Sequence, residues 1–179
     1  MKSVTDKIIG LNLGARNRSI PDFLNMDIDQ HAGVDIVGDV SDLSRFKNNS
    51  IPAIYASHIL EHMGHNVTLS VLKEWNRVIE PNGKLYVAVP DFERVVEIYK
   101  QIGGLHDWVI RYLMGDQLYK TAYHYDLFDE RRMNSLLRQA GFTELHRMDS
   151  FPIGDPNDCS NGKSTLDGGS VSLNIMAIK

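Results

Sequence analysis

His58, Glu61 and His62 stand at i, i+3 and i+4, a spacing that puts all three on one face of a helical turn. His124 lies in a later segment that can fold over the same region. Imidazole and carboxylate together suit a divalent cation that could hold a substrate diol. A single imidazole, titrating near its ordinary pKa of about 6.5, suits general-base work on a hydroxyl. The preferred reading is plainer: His62 only caps the turn that follows a strand. A second group is acidic. Asp27, Asp39 and Asp42 each follow a short apolar burst, FLNM for the first and VDIV for the others. Carboxylates at strand ends are good acceptors for a ribose diol or an exocyclic amine. An open α/β sheet gathers its ligand along the carboxyl ends of its strands.

The elements that must position these groups follow from apolar periodicity. Ile8 to Leu13, closed by Gly14, reads as a first strand, and Phe23 to Ile28 as a second. Ala15 to Asp22 alone separate them, with Pro21 near the end. Eight extended residues reach about 27 Å. That is enough to return along a short strand but not to add a useful helix, so the first crossover helix is predicted to be missing or reduced to one turn. Val34 to Val37 is a third strand and Ala53 to Ala56 a fourth. Asn66 is placed to cap a helix whose stripe is Val71, Leu72, Trp75, Val78 and Ile79. Pro81-Asn82-Gly83 is predicted to stop that helix before an all-apolar, interior fifth strand, Leu85 to Val89.

Helices are predicted over Phe92 to Lys100, broken by Gly103-Gly104, and over Asp107 to Leu113. A third follows Asp126, which caps or precedes it, carries Phe128, Met133, Leu136, Leu137 and Ala140, and ends at Gly141. Phe142 to Met148 and Val171 to Ile178 complete seven strands. Between them lies FPIGDPNDCSNGKSTLDGG, a loop long enough to expect a function or disorder of it. Its Gly162-Lys163-Ser164 is not a phosphate loop, because the earlier glycine position is Asn157 and no strand precedes it. Tyr119, Tyr123 and Tyr125 are placed either to line a pocket or to pack beside a helix.

The 179 residues suit one domain, read as 1–179. The net charge of −4 gives no basic footprint for nucleic acid. One cysteine, Cys159, excludes an internal disulfide. The opening MKSVTDKIIG has too short an apolar run for a leader peptide, so a soluble cytoplasmic protein is the expectation.

The ordered set LNLG, NMDID, GDVSDL, SHILEHM, EWNRVIEPNGKLYVAVP, HYDLFD and LLRQAGF resembles the class I S-adenosylmethionine-dependent methyltransferases over Ile8 to Phe142. It is most similar to small bacterial methyltransferase-like proteins with a shortened first crossover. The resemblance implies a Rossmann-like α/β fold, a mostly parallel seven-stranded sheet with one antiparallel strand near its edge. It implies S-adenosylmethionine as cofactor. Gly14 would lie under its methionine part, Asp27 with Ile28 beside the ribose, Asp39 and the backbone of Val40 at the adenine, and Ser57 and His58 toward the sulfonium. Catalysis would fall to His58 or His124. The run His58, Glu61, His62 with His124 also resembles the metal quartet of small-RNA 2′-O-methyltransferases and some quinone-pathway O-methyltransferases, where a Glu stands at the position of His58.

Two departures from the family pattern bear on function. Arg16 replaces the family's second glycine, so its side chain must point elsewhere or meet the cofactor carboxylate itself. Asn12 stands where an acid is common. The resemblance implies O-methylation of a small hydroxylated or glycan-like acceptor, with neither nucleic acid nor membrane as partner. The alternative is a non-catalytic binding or scaffold protein with weakened cofactor binding.

Overall fold

The computed structural model describes residues 9–154, 157–163 and 168–179. Ile8, the expected start of the first strand, and Ser164 lie outside them. The strands are β1 (Gly10–Leu13), β2 (Phe23–Asp27), β3 (Ile36–Val37), β4 (Ile51–Ser57), β5 (Ile79–Pro90), β6 (Glu144–Met148) and β7 (Ser172–Ile178). They form one sheet in the order β3-β2-β1-β4-β5-β7-β6. All neighbours are parallel except β7, which runs antiparallel to both β5 and β6. The helices are α1 (Thr68–Val78), α2 (Phe92–Ile102), α3 (Asp107–Met114) and α4 (Glu130–Ala140).

Register explains the two faces. Met26, Leu13, Ala56, Val87 and Ile175 are successive partners across five strands. This row belongs to the main core, with Leu72, Trp75 and Val78 of α1 and Met133 and Leu137 of α4 packed against the same cluster. The next row, Asn25, Asn12, Tyr55, Tyr86 and Met176, points to the opposite face, because side chains alternate along a strand. Tyr55, Tyr86 and Phe23 form a smaller cluster there, covered by Phe151 and Ile153 from the segment after β6. Phe151 meets both tyrosines edge-on, with ring centroids 5.7 and 5.4 Å apart.

Residues 15–22 contain no helix, as their length requires. A helix would have satisfied its own peptide groups, and two asparagines do so instead. Asn12 Nδ2 donates to the carbonyl of Arg18 at 2.8 Å and to Asn25 Oδ1 at 2.9 Å. Asn25 Oδ1 also accepts from the N–H of Ile20 at 2.8 Å. A carboxylate at position 12 has no proton to donate, which accounts for the amide there.

Three helix ends are held otherwise than the sequence reading has them. The residue preceding α1 is Val67, not Asn66, and the start is tied by Val67 and Thr68 N–H groups to the Gly64 carbonyl. The helix ends at Val78, before Pro81, because Ile79 already pairs with Ile51; Pro81-Asn82-Gly83 instead forms an irregular stretch of β5. Asp129, not Asp126, caps α4 by accepting from the Arg132 N–H at 2.7 Å. Asp126 is buried, bonded to Thr68 Oγ1 and paired with Arg132.

Trp75 of α1 links this core to the strand-end loops: its indole N–H donates to the carbonyl of Val40 at 2.9 Å. Trp75→Phe should leave that carbonyl without its partner and lower stability by about 1–3 kcal/mol. Urea denaturation checks this; a loss below about 0.5 kcal/mol, the range of a neutral surface change, would show that the bond does not hold the loop.

Candidate active site

The sheet order places the carboxyl ends of β3, β2, β1 and β4 side by side, so Asp39, Asp27, Gly14 and Ser57 fall along one edge. Gly14 leaves β1 with φ +70°, and its N–H and that of Ala15 both donate to the Met26 carbonyl. A Cβ at position 14 would lie 2.6 Å from Ile59 Cδ1, so both conformation and space call for glycine. Arg16 takes φ +46°, the left-handed conformation a glycine adopts freely. Its N–H donates to Asp27 Oδ2 at 2.8 Å, while Asp29 N–H donates to Oδ1 at 3.0 Å. Its guanidinium crosses to Tyr119, donating to the hydroxyl at 2.6 Å and lying 5.0 Å from the ring centre.

A cavity of about 410 Å³ opens here, lined by Gly14, Arg16, Arg18, Tyr55, Ser57 and Asp158 among others. Asp27, Ile28, Asp39 and Val40 do not line it and continue the edge beyond it. Asp39 Oδ1 accepts from the N–H and the hydroxyl of Ser41 at 2.8 and 2.7 Å. Ser57 Oγ is buried with no hydrogen-bond partner, an arrangement that a bound polar ligand would relieve. Residues 157–163 border the cavity through Asp158, which is hydrogen-bonded to Tyr55 and Ser160. Burial, then the neighbouring Asp158, push the Tyr55 hydroxyl pKa well up, so it stays a donor.

A second cavity, about 520 Å³, adjoins the first and shares Arg16, His58 and Cys159 with it. Glu61, His62, Trp108, Tyr112, Tyr119 and His124 contribute to its walls. Glu61 and His62 sit in a 3₁₀ turn, Leu60–His62, directly after β4. The segment after α3 is fastened to that turn, because Tyr125 and Asp126 N–H groups donate to the Glu61 carbonyl at 2.8 and 3.3 Å. Tyr119 and His124 are thereby carried to the cavity, whereas Tyr123 and Tyr125 stack on each other outside it. A larger hollow of about 790 Å³ is lined by residues 149–154 with Asn161, Lys163, Gly168 and Ser170.

The histidines divide into two kinds. Ser172 Oγ donates to the Cys159 carbonyl at 2.6 Å, so it must accept from His58 Nε2, which lies 2.8 Å away. His58 Nδ1 is 3.1 Å from Glu61 Oε1. The two ring nitrogens of His58 thus face Ser172 and Glu61. His62 Nδ1 lies 2.9 Å from the Tyr123 carbonyl and His124 Nδ1 3.0 Å from the Tyr112 carbonyl, which leaves Nε2 of each ring without a proton in the neutral form. Burial is the main cause that lowers the His124 pKa, keeping that ring neutral. Burial opposes the charge of Glu61, but His58 and His62 outweigh it and hold the carboxyl below its ordinary range. The candidate ligand atoms of Glu61, His62 and His124 lie within 4.8 Å of one another; His58 is outside this group. Asp27, Asp29 and His31 form a second such group.

The roles of Ser172, Tyr112, Tyr55 and Asp158 had no signal in the sequence. Their partners are 12 to 114 positions away, and no spacing rule spans such gaps.

A methyltransferase domain model matches residues 15–87. No curated protein sequence matches the chain significantly. Among solved structures, an S-adenosylmethionine-dependent methyltransferase from Archaeoglobus fulgidus superposes with TM-score 0.61 at 12% identity, over 97% of this chain and 88% of that one. A possible histamine N-methyltransferase from Thermotoga maritima gives 0.59 at 16% identity, over 95% and 81%. The Burkholderia thailandensis 1,6-didemethyltoxoflavin-N1-methyltransferase, solved with S-adenosylhomocysteine, gives 0.57 at 16% identity, over 94% and 69%. At these identities the likeness is one of fold. The chain thus has the fold of S-adenosylmethionine-dependent methyltransferases, and its residues 15–87 match the methyltransferase domain model.

Proposed function

We propose that the protein methylates an oxygen of a small hydroxylated or sugar-like acceptor. One observation carries this reading: two adjoining cavities at the carboxyl edge of the sheet share Arg16, His58 and Cys159 as a common border. Methyl transfer needs donor and acceptor held in line, and that positioning supplies most of the catalysis. S-adenosylmethionine supplies the methyl group from its sulfonium. The chain's residues fit that donor. Arg16 and Asp29 N–H groups occupy one lone pair on each oxygen of Asp27 and leave the others for ribose hydroxyls. Asp39 keeps one oxygen uncommitted toward an amine, and Ile28, 48% exposed, offers an apolar surface beside it. Ser57 and Arg18 line the same cavity as Gly14.

The second cavity has the size and lining of a small-molecule site. Trp108, Tyr112 and Tyr119 give it aromatic walls suited to an acceptor's C–H edges. Glu61, His62 and His124 line the same cavity, where an acceptor's hydroxyl would meet them. The net charge of −4 disfavours a polyanionic substrate. Among the described residues no helix is long and apolar enough to cross a membrane.

The rival reading is a binding protein that has lost its cofactor, and it rests on Arg16. The backbone opposes it: Arg16 keeps the left-handed φ of the glycine it replaces and still anchors Asp27. Calorimetric titration with S-adenosylhomocysteine decides between them, and saturable binding is the expected result. Asp27→Ala should remove charge-assisted bonds worth about 1.5–3 kcal/mol each and weaken binding at least about tenfold, with an unchanged circular dichroism spectrum. An unaltered affinity in the folded variant would place the ribose elsewhere.

Gly14→Ala tests the same cleft from the backbone. A non-glycine residue held in the left-handed region costs about 1–2 kcal/mol, and Ile59 must also move. Both the thermal midpoint and the S-adenosylhomocysteine affinity should fall. A variant with wild-type values for both would mean that the turn after β1 can take another conformation.

A further inference from the structure

We infer that Asp158, carried in by the segment between β6 and β7, receives the α-ammonium group at the amino-acid end of the cofactor, with Arg18 beside it for the α-carboxylate. The inference rests on the methyl-transfer reading. That end of S-adenosylmethionine is a zwitterion, so its site calls for an anion and a cation side by side. Asn12 stands where an acid is common, and its amide is already used: Nδ2 donates to the Arg18 carbonyl at 2.8 Å and to Asn25 Oδ1 at 2.9 Å. Among the described residues that line the first cavity, Asp158 is the one acid. It lies far outside residues 15–87, the span of the methyltransferase domain model.

The carboxylate of Asp158 is buried, oriented and short of a counter-charge. Its Oδ1 accepts from the N–H and the hydroxyl of Ser160, and its Oδ2 accepts from the Tyr55 hydroxyl. Each carboxylate oxygen has two lone pairs, so one on Oδ2 remains. Hydrogen bonds from neutral groups leave the charge itself uncompensated. Among the described residues no Lys, Arg or His forms an ion pair with Asp158. A buried carboxylate without a cation is costly, and a bound ammonium group removes that cost. Tyr55 lines the same cavity. Its proton goes to Asp158, so the lone pairs of its oxygen are free for a second ammonium N–H.

Arg18 supplies the independent observation. Its Nη1 lies 3.9 Å from Sγ of Cys159, the residue next to Asp158, and Arg18, Asp158 and Cys159 all line the cavity. Two opposite charges are thus neighbours without pairing, and Arg18 has no carboxylate partner among the described residues. A zwitterion laid between them pairs with both. Arg16 lines the cavity too, but its guanidinium is turned to the Tyr119 hydroxyl. Strand β7 holds the acid in place: Asn174 Nδ2 donates to the Ser160 carbonyl at 2.9 Å, and Ser172 Oγ to the Cys159 carbonyl at 2.6 Å. Position along the sheet agrees. Asp27 and Asp39, suited to the ribose and the adenine, continue the edge beyond the cavity, so the amino-acid end falls inside it.

Calorimetric titration with three probes tests the site. S-adenosylhomocysteine carries the whole zwitterion, its decarboxylated analogue keeps only the ammonium, and 5′-methylthioadenosine has neither. Asp158→Asn should weaken binding of the first two at least about tenfold and change that of 5′-methylthioadenosine by less than about twofold. Arg18→Gln should weaken S-adenosylhomocysteine alone. Equal losses for all three probes in Asp158→Asn would mean that Asp158 acts only by holding Tyr55 and the loop, and would overturn the assignment; so would an unaltered affinity for S-adenosylhomocysteine. Should the variant fail to fold, the wild-type protein still decides, because Asp158 is the one acid lining the cavity among the described residues. The decarboxylated analogue should then bind at least about tenfold more tightly than 5′-methylthioadenosine, and equal affinities would overturn the assignment. Failure of the methyl-transfer reading looks different: the wild-type protein would bind none of the three, and the assignment would fall with it.

Discussion

The connection between β1 and β2 has no helix to satisfy its own peptide groups, and much of the molecule follows from that constraint. Asn12 and Asn25 supply the missing partners from the strands themselves, bonding to Arg18, to Ile20 and to each other. Their amides must both donate and accept, so neither position tolerates the acid or the aliphatic residue that a central strand would otherwise favour. The same short connection carries Arg16 through the left-handed region, where its N–H reaches Asp27. A departure from a glycine pattern therefore leaves the strand-end geometry in place while adding a guanidinium across the cleft.

The missing helix also leaves one face of the sheet uncovered. Tyr55 and Tyr86 stand on that face, and the segment after β6 takes the helix's place there through Phe151 and Ile153. Residues 157–163 continue that covering to the first cavity, where Asp158 bonds to Tyr55. Part of the wall of the first cavity is thus made by Asp158 and Cys159 of this covering segment. The covering segment reaches the second cavity too. The Cys159 carbonyl takes the Ser172 proton, Ser172 takes the His58 proton, and His58 faces Glu61. A single line of contacts joins the covering loop to the buried carboxylate.

Apolar periodicity and turn chemistry were enough to read the seven strands, the four helices and the absence of a crossover helix, because each depends on neighbours within a few residues. The same local rules placed Gly14, Asp27, Asp39 and Ser57 at strand ends. They also set Glu61 beside His62 on one turn. Where local rules erred, a distant contact had prevailed. Ile79 left α1 early to pair with Ile51.

The sequence by itself determined the architecture and which residues fall at the carboxyl edge of the sheet, since alternation and loop length are properties of short stretches. It could not assign the three histidines. His58, His62 and His124 are the same residue type, and their difference lies wholly in what each far nitrogen meets. Ser172 and Glu61 occupy both sides of His58, while the Tyr123 and Tyr112 carbonyls leave one lone pair on each of the others. Only the tertiary structure decides this, because a proton's position on an imidazole is set by partners that the fold brings from other elements.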